Sequence, residues 1–180
     1  MLFVSLACRL ALAAVLTLAA VAKLRAPGAF AASLEGLGLV PARLRRPLAV
    51  LVPAAELLIA LLLALPGTVT AGFLAAALFC CGLTAVPALV VARGQTAVCA
   101  CFGAAEVPMG GVHIVRNAVL LAAACLGSAV ALTRGAGVPG EPPGIALAVV
   151  AAGLLTTLTV FVDDIAALFR PPAAAGHRGR

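Results

Sequence analysis

The chain alternates between long apolar runs and short polar segments. The apolar runs cover residues 2–22, 47–65, 67–92, 114–133 and 145–162. A helix of about 20 apolar residues crosses the hydrocarbon core of a bilayer. Its backbone polar groups are satisfied within the helix, as lipid requires. The pattern therefore predicts an all-α, polytopic transmembrane bundle of about five helices.

The runs divide the chain into one domain and a tail. We expect residues 1–168 to form a single transmembrane domain and residues 169–180 to form a basic, disordered tail rich in Pro, Ala and Gly. The first run contains Arg9, and no basic residue precedes its apolar part, as one would in a secretory signal. We therefore expect it to be retained as the first helix.

A basic connector, residues 23–46, joins the first two runs. Its apolar side chains are spaced as on a short amphipathic helix lying on the membrane surface: Phe30, Leu34, Leu37 and Leu39.

Composition supports a membrane protein. The chain is 64% hydrophobic and 10% charged, whereas a soluble domain has about 25% charged residues. The net charge is +6, but the basic residues cluster in loops and no nucleic-acid recognition motif accompanies them. We expect a multi-pass protein of the plasma membrane that contacts lipid and no nucleic acid.

Charge and chemistry predict opposite orientations. Most basic residues lie on the side that holds the connector, the segment 93–113 and the tail. The positive-inside rule places that side in the cytoplasm. Oxidative thiol chemistry in the same segment would require the exported side. The sequence leaves the orientation open.

The six cysteines are of two kinds. Four lie in apolar runs and are expected to pack as small hydrophobes: Cys8, Cys80, Cys81 and Cys125. Cys99 and Cys101 instead lie in the polar segment 93–113 and are followed by Phe102 and Gly103.

The pair Cys99/Cys101 is the first candidate site. In a turn, which Gly103 would permit, their Cα atoms come within the disulfide range of about 4.4–6.8 Å. So small a ring is strained, and strained disulfides tend to be catalytic or regulatory. We favour a redox-active pair. A structural link, metal ligands and an inert pair remain open, although a zinc site needs four ligands and only His113 is near in sequence, so no metal is expected.

Glu56 and Arg116 are the second candidates. An ionisable group at membrane depth is costly and marks function, and Glu56 is the acid deepest in an apolar run. Its partner is expected among Lys23, Arg9 and Arg116, or it makes a structural hydrogen bond within its own helix. Arg116, with Asn117 beside it, would stabilise a thiolate if the cysteine segment folded back; otherwise it anchors the helix end.

The cysteine segment and the charged residues together resemble a known family of membrane proteins. The sequence Cys99-Ala100-Cys101-Phe102-Gly103, followed by Arg116-Asn117 at a helix start, resembles the methylamine utilisation protein MauE family. Earlier residues do so as well, and are also similar to DoxX-type membrane proteins: Lys23, Phe30, Leu34, Pro41 and Glu56. The resemblance covers about residues 5–135.

The resemblance implies a function in protein maturation. MauE-type proteins are implied to help mature the small subunit of methylamine dehydrogenase, an exported protein rich in disulfides, together with a thioredoxin-like partner, MauD. Cys99 and Cys101 would then exchange disulfides, and Glu56 and Arg116 would tune them. Relatives without a methylamine pathway share the motif, so the client is open to any exported disulfide protein.

Two other functions remain open. A quinone-linked membrane thiol oxidoreductase would use the same cysteines and pass their electrons to quinone, which would then be its cofactor. A non-redox scaffold or small-solute permease would use Glu56 and the proline-containing helices. No nucleotide fingerprint, phosphate loop or serine-nucleophile motif is present in the sequence.

Overall fold

The computed structural model describes residues 1–94 and 110–168, apart from the side chains of residues 163, 164 and 166–168. Within these ranges every regular element is a helix: α1 Leu2–Arg25, α2 Pro27–Gly36, α3 Ala42–Ala64, α4 Val69–Ala92, α5 Gly111–Arg134 and α6 Pro142–Leu168. All of these except α2 are long and apolar enough to cross a membrane, which makes five candidate spans among the described residues. The predicted polytopic helical bundle is confirmed. Cys99, Cys101 and the tail 169–180 lie outside the described residues.

Several helix boundaries differ from the expectation. α3 begins at Ala42, after Pro41 as N-cap, so Pro47 lies inside the helix. The carbonyl that Pro47 leaves without a helical partner belongs to the exposed Arg43, where water can satisfy it. α5 begins at Gly111 and takes in His113. α6 continues to Leu168, because acidic residues mark a membrane boundary without ending a helical backbone.

α1 lies at the centre of the bundle. It packs against α3, α5 and α6, while α4 packs most extensively against α5. Leu12 and Leu16 of α1 and Phe73 of α4 are almost completely buried and belong to one apolar core. The outward faces expose leucines and valines, as the lipid-facing side of a bundle does.

Small residues let neighbouring helices approach closely. A Cβ atom at Gly72 of α4 would lie 2.9 Å from the backbone nitrogen of Leu63 in α3. A Cβ atom at Gly127 of α5 would lie 2.1 Å from Cε1 of Phe73. Helices in lipid associate through such close packing rather than through a water-driven force.

The short helix α2 is the predicted amphipathic helix. Its residues Phe30 and Leu34, and Leu37 just after it, are buried against Val90 near the end of α4. Leu39 is partly buried against the same cluster. Consequently α2 covers the end of the bundle where the chain leaves α4 and enters α5, which is also where the segment with Cys99 and Cys101 is attached. We call this the cysteine end.

Candidate functional site

A buried ion pair lies inside the bundle. Nζ of Lys23 in α1 donates a hydrogen bond to Oε1 of Glu56 in α3 over 2.6 Å. The two side chains are 3% and 1% exposed. Two charges are stable at such depth only when they are paired. The functional residue predicted from its depth, Glu56, thus has Lys23 as its partner.

Both partners are held by their helices. Lys23 lies in the last turn of α1, where a cation interacts favourably with the helix dipole. Its Nζ also lies 3.5 Å from the carbonyl oxygen of Ala19, one turn earlier, and 5.5 Å from the centre of the Phe30 ring of α2. The ring face is attractive to an ammonium group. These contacts fix the ammonium group above the carboxylate.

A cavity of about 260 Å³ adjoins the ion pair. Lys23 and Glu56 line it together with apolar side chains from α1 to α5. Phe30 and Leu34 of α2 form part of its wall. Glu56 Oε2 is buried and has no hydrogen-bond partner among residues 1–94 and 110–168. The cavity therefore joins an apolar wall to a charged donor and a carboxylate acceptor.

The first turns of α5 supply further polar groups of the cavity. His113, Arg116 and Asn117 all line it, and they are 2%, 6% and 7% exposed. Arg116 is close enough to Lys23 to interact with it electrostatically. The charged groups that line the cavity thus belong to three different helices.

Asn117 compensates for a proline in the neighbouring helix. Pro87 of α4 has no N–H, so the carbonyl of Leu83 loses its helical partner. Asn117 Nδ2 donates a hydrogen bond of 2.8 Å to that carbonyl oxygen. Asn117 therefore fixes α5 against α4 beside the cavity rather than capping its own helix.

Of the three cations considered for Glu56, Arg9 is placed elsewhere. Its Nε donates a hydrogen bond to the Leu63 carbonyl, and its Nη2 donates one of 2.9 Å to the Ala64 carbonyl. These carbonyls end α3 and have no helical donors. Arg9 thus stabilises the end of α3 remote from the cavity. Arg116 does line the cavity, and its role there stays a prediction.

The cysteines in the apolar runs divide by exposure. Cys8 and Cys80 are buried and belong to the apolar core, as expected of packed thiols, whereas Cys81 and Cys125 are exposed on the outside of the bundle. All four are free thiols. Cys99 and Cys101 lie outside the described residues, so their role stays a prediction. Within the described ranges, no group of three metal-binding side chains occurs.

The sequence pattern does not place two polar residues of α5, His113 and Asn117, in a site. It predicts a loop at His113 and gives Asn117 only as part of a helix start. A helical wheel that began at Gly111 would place His113, Arg116, Asn117 and Leu120 on one face, at the spacing of successive turns.

Comparison with known proteins identifies the family. A family model described as "Methylamine utilisation protein MauE" matches residues 1–133, which include the ion pair and every residue of the cavity. Neither a curated protein nor a solved structure matches the chain. Since the match covers more than half of its length, this multi-pass membrane protein belongs to the MauE family of methylamine utilisation proteins.

Proposed function

We propose that the protein assists disulfide maturation of an exported protein by thiol–disulfide exchange at Cys99 and Cys101. The observation that carries the proposal is the position of the cluster that holds the buried charged side chains of residues 1–94 and 110–168, which are Lys23, Glu56 and Arg116. It lies at the end to which the segment with both cysteines is attached. A cation near a thiol favours the thiolate, which is the attacking species in disulfide exchange, and Arg116 and Lys23 are at that end.

Chain connectivity limits how far the thiols lie from the cluster. Cys99 follows Gly94 by five residues, and five residues span at most about 18 Å. Val90, one turn before Gly94, packs against the wall of the cavity. We propose that the cysteines approach Arg116, because a cation there would stabilise a thiolate.

The exchange transfers one disulfide from Cys99 and Cys101 to a partner dithiol in two steps. A thiolate of a partner dithiol attacks the disulfide between Cys99 and Cys101, which opens to a mixed disulfide. The second partner thiolate then displaces the remaining cysteine. The partner leaves oxidised, and Cys99 and Cys101 leave as thiols. A thioredoxin-like protein of the MauD type is the proposed partner, and an exported protein such as the methylamine dehydrogenase small subunit is the proposed client.

The direct test is replacement of both cysteines. We expect Cys99→Ser/Cys101→Ser, expressed in a deletion strain, to leave exported client proteins with free thiols. The matched control is Cys81→Ser/Cys125→Ser, because these two thiols are exposed on the bundle outside the segment. Both variants are compared at equal protein level in the membrane. Full client oxidation by the Cys99/Cys101 variant would contradict the proposal.

Labelling tests the orientation that the proposal requires. In a variant that keeps Cys99 as its single cysteine, we expect an impermeant maleimide to label intact cells, because the client is exported. The charge distribution argues for the opposite orientation. Labelling only after the cells are opened would therefore contradict direct exchange with an exported client.

A further inference from the structure

The cavity beside Lys23 has the features of a ligand site. Its volume is about 260 Å³, close to the lower end of pockets that bind small molecules, about 300 Å³. That volume admits one ring with a short substituent and excludes a lipid with two acyl chains. Its wall is apolar apart from the groups contributed by Lys23, Glu56, the start of α5 and Ser33, whose hydroxyl donates to the Phe30 carbonyl. An occupant must therefore be mostly apolar, with a compact polar head.

The ion pair offers both a donor and an acceptor to such a head. Lys23 Nζ carries three hydrogens, and its described partners are Glu56 Oε1 and the Ala19 carbonyl. Glu56 Oε2 is an acceptor with no hydrogen-bond partner in the two described ranges, although Glu56 is 1% exposed. A buried carboxylate oxygen without a donor is costly, so a hydroxyl group in the cavity would stabilise it.

We propose that this cavity binds the head group of a membrane quinone. A quinone accepts hydrogen bonds through its carbonyls and would take one from Lys23. The corresponding quinol donates through its hydroxyls and would give one to Glu56. A fatty acid carboxylate would bring a second negative charge next to Glu56, whereas a quinone and its quinol are both neutral. The Phe30 ring in the cavity wall suits a planar ring.

The site supplies an electron acceptor for the cysteines, a step that rests on the proposed function. Oxidation of the Cys99/Cys101 dithiol breaks two S–H bonds, forms one S–S bond, and releases two electrons and two protons. The quinone takes both electrons and both protons and becomes a quinol, with two new O–H bonds. The disulfide is thereby regenerated for the next client, and the quinol returns to the membrane pool.

A tryptophan reporter tests binding without any electron transfer. The chain contains no Trp, so a single introduced Trp gives an unambiguous fluorescence signal, and a bound quinone quenches it. We place the reporter as Phe30→Trp, or as Leu39→Trp, which is only partly buried and tolerates a larger ring more easily. Leu147→Trp is the control, because Leu147 is 69% exposed on the outside of α6. All three variants are reconstituted in nanodiscs and titrated with decylubiquinone.

The expected result is saturable quenching at a cavity reporter and weaker, unsaturable quenching at Leu147→Trp. Equal, linear quenching of all reporters would show only partitioning into lipid and would overturn the proposal. Palmitate is the second arm. If it relieves the quenching at concentrations below those at which decylubiquinone saturates the reporter, the occupant is a fatty acid and the quinone assignment is overturned.

The ion pair is tested in the same assay. Lys23→Met/Glu56→Met leaves no unpaired charge, and we expect it to raise the half-saturating decylubiquinone concentration about tenfold, the loss of about one charge-assisted hydrogen bond. Arg45→Met is the matched control. Arg45 lies in the first turn of α3, at the cysteine end, and its ion pair with Glu35 is exposed. An unchanged half-saturating concentration in the double variant would contradict a role for the ion pair.

The two proposals fail separately. Cys99→Ser/Cys101→Ser is expected to retain saturable quenching, because the cavity needs neither thiol. Retained binding together with normal client oxidation in that variant would remove the relay and leave the quinone site. Client oxidation that requires the cysteines, together with linear quenching, would leave the relay and remove the quinone site.

Discussion

Lys23 and Glu56 are 33 residues apart in sequence and form an ion pair of 2.6 Å with both side chains almost fully buried. The pair Arg45–Glu35 has a similar length, 2.8 Å, but its side chains are 27% and 67% exposed. The nitrogen–oxygen distance therefore does not distinguish the two ion pairs, whereas the burial of their side chains does. A buried pair is costly to break, since it leaves a charge without a partner, while an exposed pair contributes little.

The first prediction concerns this asymmetry. Glu56→Met alone is expected to lower the free energy of unfolding by about 3–5 kcal/mol, because it leaves Lys23 buried and unpaired. Lys23→Met/Glu56→Met is expected to recover most of that loss. The measurement is unfolding by SDS titration of the purified protein in mixed micelles, followed by circular dichroism.

Arg45→Met/Glu35→Met is the control for the exposed pair, with an expected change of at most about 1 kcal/mol. If the double variant at Lys23 and Glu56 lost as much as the sum of the single variants, the two side chains would not be coupled, and the ion pair would not organise the site.

A second prediction concerns the bond between Asn117 and the Leu83 carbonyl. Asn117→Leu is expected to cost about 0.5–2 kcal/mol, since it leaves a partly buried carbonyl without a donor. Pro87→Ala restores the helical N–H that this carbonyl lacks. In that background Asn117→Leu is expected to cost less. A double-mutant cycle measures the difference, and strict additivity of the two changes would refute the compensation.

The helices could be predicted because each apolar run has close to or more than the about 20 residues that cross a bilayer. The pairing within the site could not. Arg9, Lys23 and Arg116 were all plausible partners of Glu56, and the choice depends on how α1 and α5 are rotated about their axes against α3. No local pattern encodes that rotation. The structure decides for Lys23, because Arg9 is used at the end of α3.

The start of α5 shows why His113 was missed. Its N-cap is Gly110, which makes no side-chain capping hydrogen bond, so the usual start signal of Ser, Thr, Asp or Asn is absent. The preceding residues are rich in Gly, Pro and Ala, which indicates a loop. The helix begins three residues before the expected position, and those residues carry His113 into the cavity wall.

A third prediction concerns Arg9. Arg9→Met is expected to lower the free energy of unfolding by about 1–3 kcal/mol, because the last carbonyls of α3 lose charged donors. Arg9→Lys is expected to recover only part, since an ammonium group lacks the fork that reaches two carbonyls. Arg46→Met, at an exposed position of α3, is the control. Equal stability of Arg9→Met and the parent protein in the same SDS titration would show that the contact is dispensable.

A fourth prediction concerns the close approach of α4 and α5. Gly127→Ala would place a methyl group 2.1 Å from Cε1 of the fully buried Phe73, so the ring or the helix must move. Such overpacking costs about 1–3 kcal/mol. Gly153→Ala is the matched control, because Gly153 is a helical glycine with nothing within 4 Å of the added atom.

The control is expected to be neutral or to stabilise the protein by up to about 1 kcal/mol, from the higher helix propensity of alanine. Phe73→Leu shortens the side chain that the methyl group meets. Gly127→Ala/Phe73→Leu is therefore expected to cost less than the two single variants together. If Gly127→Ala and Gly153→Ala changed the unfolding free energy equally, contact with Phe73 would not be what requires a glycine at position 127.

The cost of the combined variant also shows whether the added methyl group disturbs only its contact with Phe73 or the whole interface between α4 and α5. A loss that Phe73→Leu relieves is confined to this contact, whereas an unrelieved loss would mean that α5 has shifted along its whole interface with α4, including the bond from Asn117 beside the cavity.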